Sequence, residues 1–205
     1  MNLRRFSYFP KPPSLRTSEQ ASDAQRSQQR ASVWRENIES FLWAVALALL
    51  IRTFIIAPFK IPSGSMHPTL IEGDRILVSK FLYHFRPPRR GEIVVFRYPE
   101  DPKRPFIKRL VALGGDTVEI REGQILVNGQ VLKEAEVFQS IHYVNDGLYG
   151  KTRQVIQVPP NHFYVLGDNS RSSHDSRFWG FVPARFLIGR AVCIFWPLNR
   201  LRALR

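Results

Sequence analysis

The chain reads as mainly β: a single N-terminal transmembrane helix followed by a compact antiparallel β-domain, partly barrel-like. Three observations carry this expectation. One long apolar run occurs, at residues 37–57. The residues after it break into short stretches rich in β-branched and aromatic side chains, bounded by Gly, Pro or Asp. Asn128-Gly129 between Ile125-Leu126-Val127 and Val131-Leu132 is a type I′ hairpin signal.

Residues 1–36 are rich in Ser, Gln, Arg and Pro and lack sustained periodicity, so they cannot bury enough apolar area to offset their ordering entropy. They are predicted to be a disordered tail. Phe41 to Ile51 is unbroken apolar sequence, interrupted by Arg52-Thr53 and resumed by Phe54-Ile55-Ile56-Ala57. Roughly 20 such residues cross a hydrocarbon core of about 30 Å. Arg52 lies near enough to the end for its guanidinium to snorkel to the headgroups. A cleavable signal peptide is the alternative, but the run starts far from the N-terminus and no small-x-small pattern follows it closely. The tail carries Arg4, Arg5, Lys11, Arg16, Arg26, Arg30 and Arg35 against Glu19, Asp23, Glu36 and Glu39. Short basic flanks stay cytoplasmic, so the tail is expected inside and residues 58–205 outside.

Strands are expected at 76–78, 93–96, 107–113, 118–120, 125–127, 155–158, 163–166 and 189–195. With 205 residues and 44% hydrophobic content, the chain has room for one core-bearing domain plus an anchor. The net charge of +13 suits anionic lipid headgroups, and no nucleic-acid-binding motif accompanies it. Cys193 is the one cysteine, so no internal disulfide forms, and no Cys/His cluster has metal-ligand spacing. In its apolar run Cys193 reads as a small buried hydrophobe. No metal and no cofactor are expected.

Three polar stretches carry chemistry. Ile61-Pro62-Ser63-Gly64-Ser65-Met66-His67-Pro68-Thr69-Leu70 places a serine in a Pro/Gly-constrained loop just beyond the apolar run. Phe106-Ile107-Lys108-Arg109-Leu110-Val111 embeds a lysine in a strand-like run, and Gly167-Asp168-Asn169-Ser170-Arg171-Ser172-Ser173-His174-Asp175-Ser176-Arg177 is a dense polar loop between apolar strands. Ser65 is a candidate nucleophile and Lys108 its general base, a recognised Ser–Lys variant. At a pKa of about 10.4, roughly one lysine in 2,500 is neutral at pH 7; burial lowers that pKa by disfavouring the ammonium. A Ser65–His67 pairing needs an unusual bend, and His174 is a further rival base. As isolated features, a strand lysine pointing to water and a solvated turn are the competing readings.

These boxes, in this order after an anchor, resemble type I signal peptidase, the bacterial Ser/Lys peptidase that removes secretory signal peptides, from about Trp34 to Trp196. The resemblance implies Ser65 as nucleophile and Lys108 as general base. It implies the Ser63 hydroxyl with the Ser65 N–H as oxyanion hole, and Ser173 as the hydroxyl that orients the lysine. Asp168, Asp175 and Arg177 brace the site, the last two as an ion pair. By the same resemblance Phe59, Ile61, Met66, Leu70, Phe106 and Ile107 line shallow pockets that admit only small residues, which gives an Ala-x-Ala-like cleavage rule. The substrate is then a preprotein signal peptide adding as a strand, and the other partner is the lipid bilayer. The enzyme would be single-pass in the plasma membrane, or in an internal thylakoid-type membrane where the host has one. The family commonly has arginine directly after Gly-Asp-Asn, where this chain has Ser170. The interval from Lys108 to Gly167 is short, and residues 142–151 look like a loop of unassigned role. A self-cleaving repressor-like protein with a Ser–Lys pair and a non-enzymatic basic membrane protein are the alternatives.

Overall fold

The structure, a computed structural model, describes residues 37–49 and 56–204. The expected tail therefore lies outside the described residues. Residues 37–49 form a helix, α1, whose side chains are all exposed, among them Ile38, Phe41, Leu42, Trp43, Val45, Leu47 and Leu49. Among the described residues no helix is long and apolar enough to cross a membrane. The expectation of one helix through Ala57 is corrected at its end. Ile56 and Ala57 belong to strand β1 (Ile56–Lys60), paired with Ser79 and Val78. Pro58 explains the change: the residue before a proline is driven from helical to extended backbone, and proline itself donates no hydrogen bond.

The rest is mainly β and wholly antiparallel. β2 (Arg75–Ser79), β3 (Ile93–Arg97), β4 (Pro105–Leu113), β9 (His162–Leu166), β10 (Val182–Pro183) and β11 (Leu187–Trp196) join β1 in the order β1-β2-β11-β3-β4-β9-β10, and β12 (Arg202–Ala203) pairs with β11. The path is open, with β1 and β10 as its ends. A second sheet runs β7-β6-β5-β8, built from β5 (Thr117–Arg121), β6 (Gln124–Val127), β7 (Gln130–Val131) and β8 (Ile156–Gln157). Asn128 (φ 53°) and Gly129 (φ 77°) both have positive φ and join β6 to β7, the conformation a type I′ turn requires. β7 is the second arm of the hairpin expected around Asn128-Gly129, whereas the two-residue strands β10 and β12 and the strand β1 were not expected as such. The single-turn helices α2 (Leu82–Phe85), α3 (Val137–Ser140) and α4 (Ser176–Trp179) cap loops.

Strand alternation divides the core. Tyr164 and Leu166 of β9 face the small sheet, meeting Val118, Ile120, Ile125 and Ile156. Phe163 and Val165 turn the other way, toward Val94, Phe96 and Leu110. A register slip between Leu110 and Ala112 lets the consecutive Val111 and Ala112 both join the first cluster. A third cluster gathers Ile61, Met66 and Leu70 against Ile76, Val78, Ile93, Val95 and Ala191. That cluster holds the Ser65 loop in place.

Candidate active site

After β1 the chain is pinned by Ile61 N–H donating to the Asp74 carbonyl and Gly73 N–H donating to Ile61, at 2.8 and 3.0 Å. Asp74 is in turn clasped by Arg200 at 2.8 and 2.9 Å. Gly64–Met66 then makes one 3-10 turn, closed by His67 N–H on the Gly64 carbonyl at 3.0 Å. Met66 and Leu70, each 0% exposed, plug the turn into the core beneath it. Ser65 is thereby fixed by its successor's burial. The first N–H groups of such a turn have no partner within it.

Lys108 and Arg109 are consecutive on β4 and are 4% and 2% exposed. Alternation sends them to opposite sides, and their fates differ. Arg109 donates to both carboxylate oxygens of Asp168, at 2.8 and 2.6 Å, and to the Gly91 carbonyl at 2.6 Å. A guanidinium does not shed its proton in a protein, so burial demands this counter-charge. Lys108 makes no ion pair among the described residues. Its Nζ donates to Ser65 Oγ at 2.6 Å and lies 5.7 Å from the Phe106 ring centroid. Burial brings its pKa down from 10.5 to about 8, with Asp175 and Asp168 pulling upward and Arg177 adding to the fall. A buried amine whose pKa is lowered toward neutrality thus lies against an alcohol.

The third box closes over this pair. Asn169 donates from its backbone to the Ser65 carbonyl and from Nδ2 to the Gly64 carbonyl, both at 3.1 Å. A side chain on Gly167 would collide with the Ser65 carbonyl and the Ser173 hydroxyl, so only glycine permits this approach. Asp175 caps α4 by accepting from Arg177 N–H, accepts Gly167 N–H at 3.0 Å, and pairs with the Arg177 guanidinium at 2.8 and 2.9 Å.

The structure thus brings together Ser65, Lys108, Asp168, Asp175, Arg177 and Ser173. Some expected details differ. The Ser173 hydroxyl is buried and makes no hydrogen bond, so the expected bond to Lys108 is not formed; the Lys108 Nζ bond goes to Ser65 instead. Ser63 precedes the turn, exposed and extended, its hydroxyl capping nothing. Ile61, Met66 and Leu70 are core residues, at most 2% exposed. Phe59, Phe106 and Ile107 are half-buried and keep accessible surface. His67 is exposed beyond the turn, and His174 lies 3.2 Å from the Tyr98 hydroxyl and stacks on Phe178, so neither is bonded to Ser65.

Arg109 and Asn169 carried no assigned role in the sequence. The signal for Arg109 was present in the tandem Lys-Arg on a strand buried on both faces. The site is not a closed cavity. A hollow of about 530 Å³ behind the turn, lined by Pro68, Thr69, Arg109, Glu136, Val137 and Arg202 among others, includes neither Ser65 nor Lys108. The open flank is instead made of strand edges: β1 is an end strand, and β9 pairs with β4 only from Arg109 onward, leaving Pro105–Lys108 unpaired on that side.

The family described as "Signal peptidase, peptidase S26" matches residues 34–196. Signal peptidase I of Leptolyngbya laminosa is 46% identical over 173 residues, covering 81% of each chain. Probable signal peptidase I-1 of Synechocystis sp. is 41% identical over 173 residues, covering 81% of this chain and 84% of its own. Thylakoidal processing peptidase 1 of Arabidopsis thaliana is 37% identical over 179 residues, which cover 82% of this chain and 50% of that one. With the matched region spanning all three boxes, the chain belongs to the signal peptidase family, peptidase S26.

Proposed function

We propose that this enzyme is a membrane-tethered endopeptidase that cleaves signal peptides with Ser65 as nucleophile and Lys108 as general base. The observation that carries the reading is a buried lysine that makes no ion pair among the described residues and lies 2.6 Å from a serine hydroxyl. Neutral Lys108 takes the Ser65 proton as Oγ attacks the scissile carbonyl. The oxyanion so formed accepts hydrogen bonds from the Ser65 N–H and, after rotation, the Ser63 hydroxyl; one such donor is worth roughly 3–4 kcal/mol. Collapse breaks the C–N bond, and the Lys108 ammonium returns the proton to the leaving amine. The acyl-enzyme is then hydrolysed by water, with Lys108 again accepting the proton.

The unpaired edges of β1 and of Pro105–Lys108 suit an extended peptide that adds as a strand. Phe59 and Ile107, both packed on the Met66 cluster, crowd that groove and favour small side chains at alternate positions. From residue 41 to 49 α1 is apolar on every side and exposed, which supports a bilayer as its surroundings, since a stretch of helix apolar all round is not stable in water. Phe81 and Phe85 are also exposed, and Phe81 follows Ser79, the register partner of Ile56, where the chain enters the domain. The anchor then raises the enzyme's effective concentration for substrates tethered in the same membrane.

Cleavage of a preprotein in detergent, followed as kcat/KM against pH, tests this. With the Lys108 pKa near 8, the rate is expected to climb about tenfold per pH unit below that value and to level off above it, since only the neutral amine can act. A profile flat between pH 6 and 9, or full activity in Ser65→Ala, would sink the assignment.

A further inference from the structure

Residues 142–150 pack against the buried Arg177. Val144 accepts from Arg177 Nη1 at 2.9 Å, and Tyr149 N–H donates to the Arg177 carbonyl at 2.8 Å. Side chains on Gly147 or Gly150 would collide with Arg177 or the loop's own backbone, so the two glycines set how closely the loop approaches. The loop is tied to its surroundings by Asn145 Nδ2 on the Ile120 carbonyl and by the Tyr164 hydroxyl donating to the Tyr149 carbonyl at 2.6 Å, and it is braced internally by Asn145 Nδ2 on the Gly150 carbonyl. Ser170 links loop and guanidinium: its Oγ accepts from Val144 N–H at 2.8 Å and from Arg177 Nη1 at 3.0 Å, while its carbonyl accepts from Nη2 at 2.7 Å. No other hydroxyl among the described residues bonds to Arg177.

We infer that Ser170 and the 142–150 loop form a clamp that holds Arg177 against Asp175 and so sets the proton affinity of Lys108, making Ser170 a positioning residue for the reaction. The inference rests on the Ser65–Lys108 reading. The path is short: Arg177 holds the Asp175 carboxylate, which accepts Gly167 N–H, and Gly167 packs on the Ser65 carbonyl. The charges facing Lys108 are Asp175 and Asp168, which favour its ammonium, and Arg177, which opposes it. Its uncharged neighbours are Ser65 and the Phe106 ring. A guanidinium that drifts from Asp175 leaves that carboxylate's field less compensated, and Lys108 then keeps its proton to higher pH.

Ser170→Ala tests this by pH profile and thermal melting on the full chain in detergent. The rising limb is expected to move upward by about 0.3–1 pH unit, a roughly two- to tenfold loss at pH 7, with the alkaline plateau retained. Ser170→Thr, which keeps an acceptor oxygen, is expected to hold the parental limb. A uniform loss at every pH, an unmoved limb, or equal shifts in both variants would overturn the inference. If Ser170→Ala does not fold, Tyr164→Phe, which releases the loop at the Tyr149 carbonyl, carries the same expected shift, and an unmoved limb in that variant overturns the inference equally. Failure of the underlying dyad reads differently, as a parental profile with no limb near pH 8 or as persistent activity in Lys108→Ala.

Discussion

Lys108→Met is expected to abolish cleavage while raising the melting temperature of the domain. Loss of a nucleophile's base typically removes on the order of 10⁴-fold or more in kcat, because the remaining binding groups cannot take the serine proton. The stability gain follows from burial. A lysine whose pKa falls from 10.5 in the unfolded chain to about 8 in the fold binds its proton more weakly when folded. At roughly 1.4 kcal/mol per pKa unit, the charged amine then weighs against folding by about 3 kcal/mol wherever both states are protonated, below pH 8. As pH rises from 8 to 10.5 the unfolded chain binds more protons than the fold, so the parent gains stability and the penalty fades. Methionine is of similar length and has no charge to desolvate. The variant is expected to melt higher at pH 7, by about 2–4 °C for each kcal/mol recovered, and to lose that advantage by pH 10.5. A variant that melts lower than the parent at pH 7 would mean that Lys108 is not held at the cost inferred from its burial. Ser65→Ala serves as the companion: equally inactive, with Lys108 still buried, and without the stability gain.

Ser65 and Lys108 could be picked out as candidates because both lie in short, chemically odd contexts, but it was the resemblance to type I signal peptidase that paired them over the competing reading of a strand lysine pointing to water. Ser65 sits between Pro62, Gly64 and Pro68, and Lys108 lies in a run whose neighbours are apolar. The strands β2, β3, β4, β9 and β11 of the main sheet could be read from β-branched runs ended by turn formers. What escaped were features decided by pairing at a distance. Arg109 looked like an ordinary strand cation, and only its opposite facing from Lys108 shows that one cation is neutralised by Asp168 while burial lowers the pKa of the other. β1 was hidden because Ile56 and Ala57 continue an apolar run, and hydropathy does not distinguish a membrane helix from the first strand of a core. The 142–150 loop has no periodicity, and its purpose lies in backbone carbonyls and glycines that pack against Arg177. Ser173 shows the converse: the motif predicts a bond to Lys108 that the fold, with Arg177 Nη2 on the Ser173 carbonyl at 3.3 Å, does not make.

Asp168→Ala is expected to be the most destabilising single change around the site. Asp168 and Arg109 form a two-point ion pair in which both side chains are almost wholly removed from water. Removing the carboxylate leaves a guanidinium inside the protein with the Gly91 carbonyl and a 3.4 Å contact to Thr69 Oγ1 as its remaining partners. An uncompensated buried charge of this kind costs about 3–5 kcal/mol, a large part of the whole stability of a domain this size. Arg109→Met should cost a comparable amount by orphaning Asp168, yet Arg109→Met with Asp168→Leu should recover much of the loss, since an apolar pair can replace a buried ion pair of similar volume. Denaturant titration of Arg109→Met, Asp168→Leu and the double variant gives the interaction directly, and additive single losses in the double variant would contradict the pairing. Activity supplies a second reading. Asp168 favours the Lys108 ammonium, so in the fraction of Asp168→Ala that folds, the rising limb of the pH profile should move to lower pH. Ser170→Ala is expected to move it the other way. Opposite displacements from two changes that both loosen the same loop would separate electrostatic tuning of Lys108 from general damage to the site, which can only lower the rate at every pH.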